Sequence, residues 1–113
     1  MNRNKVYQML GLAQRARAVA SGEFSTEKSV KDGRAALVIV ATDASDNTKK
    51  MFRNMCEFYK VQYYEYGTKE ELGHAIGKEM RASLAVTNEG FANEINKHLG
   101  IQCNNTEVVE WQK

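Results

Sequence analysis

The residues with the clearest potential for chemistry lie in one short stretch, residues 20–28, where a glycine precedes a predicted helix that carries cations. Gly22 permits close approach of the backbone to a ligand, and the first turn of a helix offers unpaired N–H groups and a positive dipole end to an anion. Phe24, Lys28 and Lys31 follow at spacings of four and three residues, so one aromatic ring and two ammonium groups share a helical face. This combination suits a polyanion with stackable bases. The same pattern fits an ordinary helix start with a solvated charged face and a phenylalanine in the core, and the local sequence does not separate the two interpretations.

A second group of polar residues follows the most apolar segment of the chain. Asp43 and Asp46 lie just beyond residues 35–41, where α/β enzymes often bind a metal ion or a phosphoryl substrate. Asp43 or Ser45 as a helix cap explains the spacing without any chemistry. The other candidates for catalysis or metal binding are isolated in the sequence: Cys56, Cys103, His74 and His98. We therefore expect no catalytic site, no metal and no cofactor, and a small metal-dependent α/β enzyme is the least favoured alternative.

The composition is that of one compact domain. The chain has 113 residues, 42% of them hydrophobic, and no shift in composition marks a second domain. Its formal charge of +2 is too small to indicate nucleic-acid binding by itself, so any basic site must be local. The two cysteines have no paired spacing, and no apolar run has the length of a signal or membrane segment. We expect a cytoplasmic protein with reduced thiols and no membrane attachment.

Apolar periodicity, helix caps and glycines predict helices that alternate with short strands. The predicted helices cover residues 5–17, 23–32, 46–59, 68–77 and 88–99, and the predicted strands cover residues 18–20, 35–41, 61–66 and 82–86. Thr68 with Glu71 forms a capping box, which is the firmest of these boundaries. Residues 35–41 form a continuous apolar run typical of a strand covered on both faces. The alternation predicts an α/β fold, namely a three-layer α/β/α sandwich with a small mixed four-stranded sheet.

Two finer predictions concern helix ends and helix faces. Gly33, Gly77 and Gly100 are predicted to terminate helices, so residues 1–100 form the domain and residues 101–113 a tail. The tail contains Val108, Val109 and Trp111, and it either docks back as a strand or remains mobile. In the third helix, the side chains predicted to face inward are Thr48, Met51, Phe52, Met55, Phe58 and Tyr59.

Four collinear stretches between residues 5 and 99 carry a family resemblance. They are LGLAQRAR at residues 10–17, SGE at residues 21–23 with Lys28, DASDNTKK at residues 43–50, and the segment from ELG at residue 71 to AVTNEGFA at residue 92. The ordered set resembles the ribosomal protein seven-Ae superfamily of kink-turn RNA-binding proteins, and most closely its bacterial YlxQ-like branch. The tail after Gly100 lies outside the resemblance.

The resemblance implies an α/β/α sandwich that stabilises sharply bent RNA and performs no chemistry on it. A glycine loop and the helix after it would contact the RNA together with a second, distant loop at residues 78–81, in which an apolar residue packs on an unstacked base. The implied RNA-binding residues are Ser21, Gly22, Glu23, Phe24, Ser25, Lys28, Lys31, Arg34, Lys78, Met80 and Arg81. The implied partners are structured RNA, either ribosomal RNA or another RNA with a kink-turn, and ribosomal proteins, with the protein acting as a monomer. For Lys31 and Arg34, each taken alone, simple solvation is favoured over contact with RNA.

The chain departs from the family at the residues that read bases. Known members place an Asn-Glu pair where this chain has Phe24 and Ser25. Neither residue reproduces a bidentate contact, which contributes roughly 1–3 kcal/mol of discrimination between bases. The resemblance therefore implies RNA binding more strongly than it implies strict kink-turn specificity.

An alternative from another functional class is a protein-interaction module associated with the ribosome or with translation factors. Tyr63, Tyr64 and Tyr66 cluster in one predicted strand, and tyrosines are enriched at interfaces. They also suit a strand that is packed beneath two helices.

Overall fold

The computed structural model describes residues 5–103 and confirms the predicted order of elements. The helices are α1 (Lys5–Arg15), α2 (Glu23–Lys31), α3 (Asp46–Tyr59), α4 (Lys69–Ala75) and α5 (Glu89–Cys103), and the strands are β1 (Val19–Ser21), β2 (Leu37–Val40), β3 (Gln62–Glu65) and β4 (Ser83–Val86). No helix among these residues combines the length and the apolar character needed to cross a membrane.

The four strands form one mixed sheet in the order β1-β4-β2-β3. The last strand in sequence, β4, lies antiparallel between β1 and β2, whereas β3 pairs with β2 in parallel. Ser21 is opposite Leu84 in this register, and Val40 is opposite Ser83. The carboxyl ends of β1, β2 and β3 therefore lie at the same edge of the sheet as the start of β4, and we call this edge the upper edge.

The helices cover both faces of the sheet and make three layers. Helices α2 and α3 pack side by side on one face, and α1 packs against α4 and α5 on the other. Every residue of β2 and β4 is buried, as predicted for strands covered on both sides. The core includes Leu10, Val30, Ile39, Phe52, Tyr63, Leu72, Leu84 and Ile95.

Short polar motifs fix the starts of the two helices that leave the upper edge after β2 and β3. The Ser45 side chain accepts a hydrogen bond from the Thr48 N–H, at 3.1 Å, and so caps α3. The predicted capping box of α4 is present, because the Thr68 hydroxyl accepts from the Glu71 N–H and the Glu71 carboxylate accepts from the Thr68 N–H, both at 3.1 Å.

Two details of the helix predictions are wrong. Helix α5 continues past Gly100 to Cys103, because Gly100 is not among the glycines with the positive φ that ends a helix, whereas Gly33 and Gly77 are. The predicted docking or mobility of residues 104–113 lies outside the described residues. Phe58 and Tyr59 do not face inward: Phe58 is 77% exposed and Tyr59 39% exposed, because the buried stripe of α3 runs through Phe52 and Cys56.

Candidate nucleic-acid interface

The turn between β1 and α2 is built on a backbone conformation that glycine alone adopts easily. Gly22 has φ of 92° and ψ of 161°, and an added Cβ there would have no atom within 4 Å. The Gly22 N–H donates to the Ser83 carbonyl at 3.0 Å, which ties the turn to the start of β4. No side chain caps α2. The N–H groups of the first turn of α2 therefore have no side-chain cap, and residues 23–25 of that turn are exposed. An anion bound there is stabilised by these N–H groups and by the helix dipole.

The loop between α4 and β4, residues 76–82, lies directly beside this turn. The Arg81 side chain donates from Nε to the Ser21 hydroxyl at 3.2 Å and from Nη1 to the Met80 carbonyl at 2.9 Å. The Arg81 backbone N–H donates to the Lys69 carbonyl at 3.0 Å. A guanidinium group has five N–H donors, so Arg81 fastens the loop to the turn and keeps donors for a ligand. We call the surface formed by residues 21–25 and 78–81 the rim.

The position of this loop depends on a glycine that the sequence analysis missed. A Cβ on Gly73 would lie only 1.5 Å from the Glu79 carbonyl oxygen and 3.1 Å from the Met80 Cα. The Lys78 N–H also donates to the Gly73 carbonyl at 2.8 Å. Because Gly73 has no side chain, the loop can pack directly against the backbone of α4 at this position. No local pattern could have revealed this role, because the collision partners are several residues ahead in a loop.

A second feature missed from the sequence joins α2 to the sheet. The buried Ser83 hydroxyl donates to the Thr26 hydroxyl at 3.3 Å, across the contact between α2 and β4. Thr26, Ser29 and Val30 are the buried residues of α2. Their spacing of three and four residues is a helical stripe, but Thr26 and Ser29 are polar, so apolar periodicity could not identify this face as the inner one.

The rim carries two exposed apolar side chains. Phe24 is 78% exposed and Met80 is 56% exposed. The interpretation that placed Phe24 in the core is therefore wrong: the core side of α2 is already taken by smaller residues. An aromatic ring and a flexible thioether beside a helix N-terminus are suited to contact the faces of unpaired bases.

The lysines of α2 lie on its exposed face and are held by carboxylates of the same helix. Lys28 Nζ is 3.3 Å from Asp32 Oδ2, and Lys31 Nζ is 2.8 Å from Glu27 Oε2. The hydrogen bond with Glu27 and the negative charge of that carboxylate raise the pKa of Lys31. Exposed ion pairs of this kind contribute little to stability. Both ammonium groups can therefore exchange a carboxylate for a phosphate at small cost.

The structure does not bring all the predicted contact residues together. Ser21 to Ser25 lie at the upper edge with the exposed residues Lys78 and Met80 and the half-buried Arg81, and Lys28 follows one turn down α2. Lys31 is the last residue of α2, about 12 Å from its start at 1.5 Å per residue. Arg34 lies at the opposite edge, because the Ala36 N–H two residues later bonds to the carbonyl of Val86, the last residue of β4.

The features that suggested other functions have structural roles. Asp43 Oδ1 accepts a hydrogen bond from the Lys69 N–H at 2.8 Å, so this carboxylate supports the first turn of α4. Tyr63 and Tyr64 are almost fully buried in β3 and cannot form an exposed docking surface. Among the described residues, no three His, Cys, Asp or Glu side chains form a group that could hold a metal ion.

The chain is similar to known proteins in sequence and in fold. Residues 4–96 match the Ribosomal protein L7Ae/L30e/S12e/Gadd45 family. RNA-binding protein YlxQ of Bacillus subtilis (strain 168) is 46% identical over 89 residues, which are 79% of this chain and 89% of the relative. RNA-binding protein YlxQ of Enterococcus faecium is 36% identical over 93 residues, which are 82% of this chain and 89% of the relative. The solved structure of a protein with unknown function from Bacillus halodurans C superposes with a TM-score of 0.83 at 35% identity, covering 86% of this chain and 98% of that one.

Proposed function

We propose that this chain, which belongs to the ribosomal protein L7Ae/L30e/S12e/Gadd45 family, is a non-catalytic RNA-binding protein that stabilises kink-turn or similarly bent RNA. Two similar relatives are named as RNA-binding proteins, which supports RNA as the partner. One observation carries the proposal: the hydrogen bond from Arg81 to Ser21 joins segments 60 residues apart into a single rim. A surface of this kind contacts both sides of a bend at once, whereas a single helix face would contact only one.

The rim holds bent RNA by binding that form better than the relaxed one. Bending brings phosphates close together, so cations and N–H donors that face the bend favour it by neutralising the crowded charge. The first turn of α2 supplies N–H donors, Lys28 supplies an ammonium group, and Arg81 supplies its remaining guanidinium donors. Met80 packs on a base that the bend has unstacked. Since these contacts form together only on the bent strand, they shift the population toward it.

Base identity contributes less than shape to this recognition. Phe24 has no polar group, and Ser25 offers a single hydroxyl, so no bidentate base contact forms at these positions. We therefore propose that the protein selects bent RNA by phosphate geometry and by unpaired bases, with ribosomal RNA and other kink-turn RNAs as the targets.

The test is a titration of a kink-turn RNA and a straight duplex of equal length at several salt concentrations. Binding of the kink-turn RNA should be tighter, and Lys28→Ala should weaken it and lower the slope of log K against log salt by roughly 0.7–0.9. Lys97→Ala is the matched control, because Lys97 is also an exposed helical lysine paired with a carboxylate, Glu94, but lies on α5. The RNA recovered from the complex should be intact. Equal binding of both RNAs, or equal effects of the two substitutions, would contradict the proposal.

A further inference from the structure

Exposed aromatic rings are concentrated on the layer formed by α2 and α3. Phe24 lies at the start of α2, and Phe58 and Tyr59 lie at the end of α3. Lys28 and Lys31 are on the exposed part of α2 between them. These five residues, which we call the aromatic strip, begin within the rim at Phe24 and end near the lower edge of the sheet.

The two ends of the strip are connected because α2 and α3 run in the same direction. Both helices start at the upper edge, after β1 and β2, and pack against each other. Lys31 and Tyr59 are the last residues of these two packed helices. The ring of Tyr59 in turn contacts that of Phe58 edge to face, with the ring centroids 4.9 Å apart. The exposed rings and ammonium groups therefore lie on one surface, which extends from the start of α2 to the ends of α2 and α3.

The order of chemical groups along this course favours a nucleic-acid strand over a protein surface. Lysine is depleted in the cores of protein interfaces, yet two lysines occupy the middle of the strip. Cations grouped with aromatic rings are the features by which proteins follow an unpaired strand, because cations track the phosphates and rings stack on bases of any identity. From Phe24 to Lys31 the helix rises about 10 Å, and Tyr59 and Phe58 extend the strip beyond it. This length suits a few nucleotides.

We propose that the aromatic strip binds an unpaired RNA segment that continues from the bend held at the rim, with Tyr59 and Phe58 stacking on its bases. The inference rests on the proposed function, since the bend delivers the strand to the top of the strip. The substrate class is thus bent RNA with a single-stranded extension.

The experiment compares three RNAs that share one kink-turn: one without an extension, one with about six unpaired uridines, and one with an abasic extension of equal length. The extension is placed on each strand in turn. The proteins are the unmodified chain, a Phe58→Ala/Tyr59→Ala variant and Leu12→Ala. Leu12 is a suitable control because it is an exposed apolar residue on α1, in the opposite layer. All three positions are exposed, and circular dichroism verifies that each variant is folded.

We expect the uridine extension on one strand to tighten binding by roughly 5- to 100-fold, the effect of one stacked base, and the abasic extension to give a smaller gain. The Phe58→Ala/Tyr59→Ala variant should lose the uridine gain and bind the unextended RNA normally. Leu12→Ala should keep both. If the unextended RNA binds but no extension tightens binding, the inference is overturned and the proposed function stands. If the unextended RNA does not bind, the proposed function itself fails. A strip that docks a protein instead would leave the binding of extended RNA unchanged by the double substitution, which also overturns the inference.

Discussion

Replacing Gly73 by alanine tests whether the packing of the loop against α4 controls the rim. The new Cβ would lie 1.5 Å from the Glu79 carbonyl oxygen, whereas contacts of real Cβ atoms are almost never below 3.0 Å. The backbone of the loop must therefore recede by about the difference, 1.5 Å, because a carbonyl group cannot rotate away as a flexible side chain can. A shift of that size breaks the hydrogen bond of 3.2 Å between Arg81 and Ser21.

The effect on stability combines two opposing contributions. Alanine in place of glycine favours a helix by about 0.8–1.0 kcal/mol, and overpacking typically costs about 1–3 kcal/mol. The free energy of unfolding of Gly73→Ala should thus fall by roughly 0–2 kcal/mol. Gly100→Ala is the matched control, because Gly100 is also inside a helix and an added Cβ there meets no atom within 4 Å. That variant should gain up to about 1 kcal/mol.

Urea denaturation measures both stabilities, and a titration with kink-turn RNA measures binding. Loss of a hydrogen bond to a charged group corresponds to about 1.5–3 kcal/mol, so we expect RNA affinity to fall by roughly 10- to 100-fold in Gly73→Ala and to stay unchanged in Gly100→Ala. The reasoning is refuted if Gly73→Ala is stabilised as much as Gly100→Ala and binds RNA like the unmodified protein.

Three further predictions concern backbone conformation, capping and pH. Gly22→Ala should lower the free energy of unfolding by about 1–3 kcal/mol in urea denaturation, because it strains a conformation reserved for glycine without any steric collision. Thr68→Ala should cost about 0.5–2 kcal/mol in the same assay through loss of the capping box, and an unchanged midpoint would contradict that role. Burial raises the pKa of the Cys56 thiol from 9.0 to about 12, so the unfolded chain ionises first and stability should decline between about pH 9 and 12, by at most about 1.4 kcal/mol per pH unit from this group. Unfolding measured across this range should show a steeper decline in the unmodified chain than in Cys56→Ala, because burial also raises the pKa of Tyr63, which keeps part of the decline in the variant.

Much of the fold could be predicted because the signals that specify it are local. The capping box at Thr68, the positive-φ glycines Gly33 and Gly77 and the apolar run that contains β2 each act within a few residues, and the structure contains all of them. The end of α5 could not be predicted in the same way. A glycine terminates a helix only when the chain beyond it turns, and Gly100 instead continues the helix to Cys103.

The directions of side chains on the helices were harder to predict. The apolar spacing in α3 favours burial of Phe58 and Tyr59, yet the fully buried residues of this helix are Phe52 and Cys56. Phe24 was ambiguous because its neighbours in sequence do not show which side of α2 the sheet covers. Burial of that side around Thr26 settled the orientation.

The residues suited to bind RNA were visible in the sequence as types and spacings, but their assembly into a surface was decided by tertiary structure alone. The sheet order, with β4 between β1 and β2, is what places Arg81 against Ser21. The same topology carries Arg34 to the opposite edge, although it is only 12 residues from Gly22. Distance along the chain measures contour length, whereas a binding surface depends on which strand ends share an edge. That arrangement is fixed by long-range strand pairing, so no local pattern contains it.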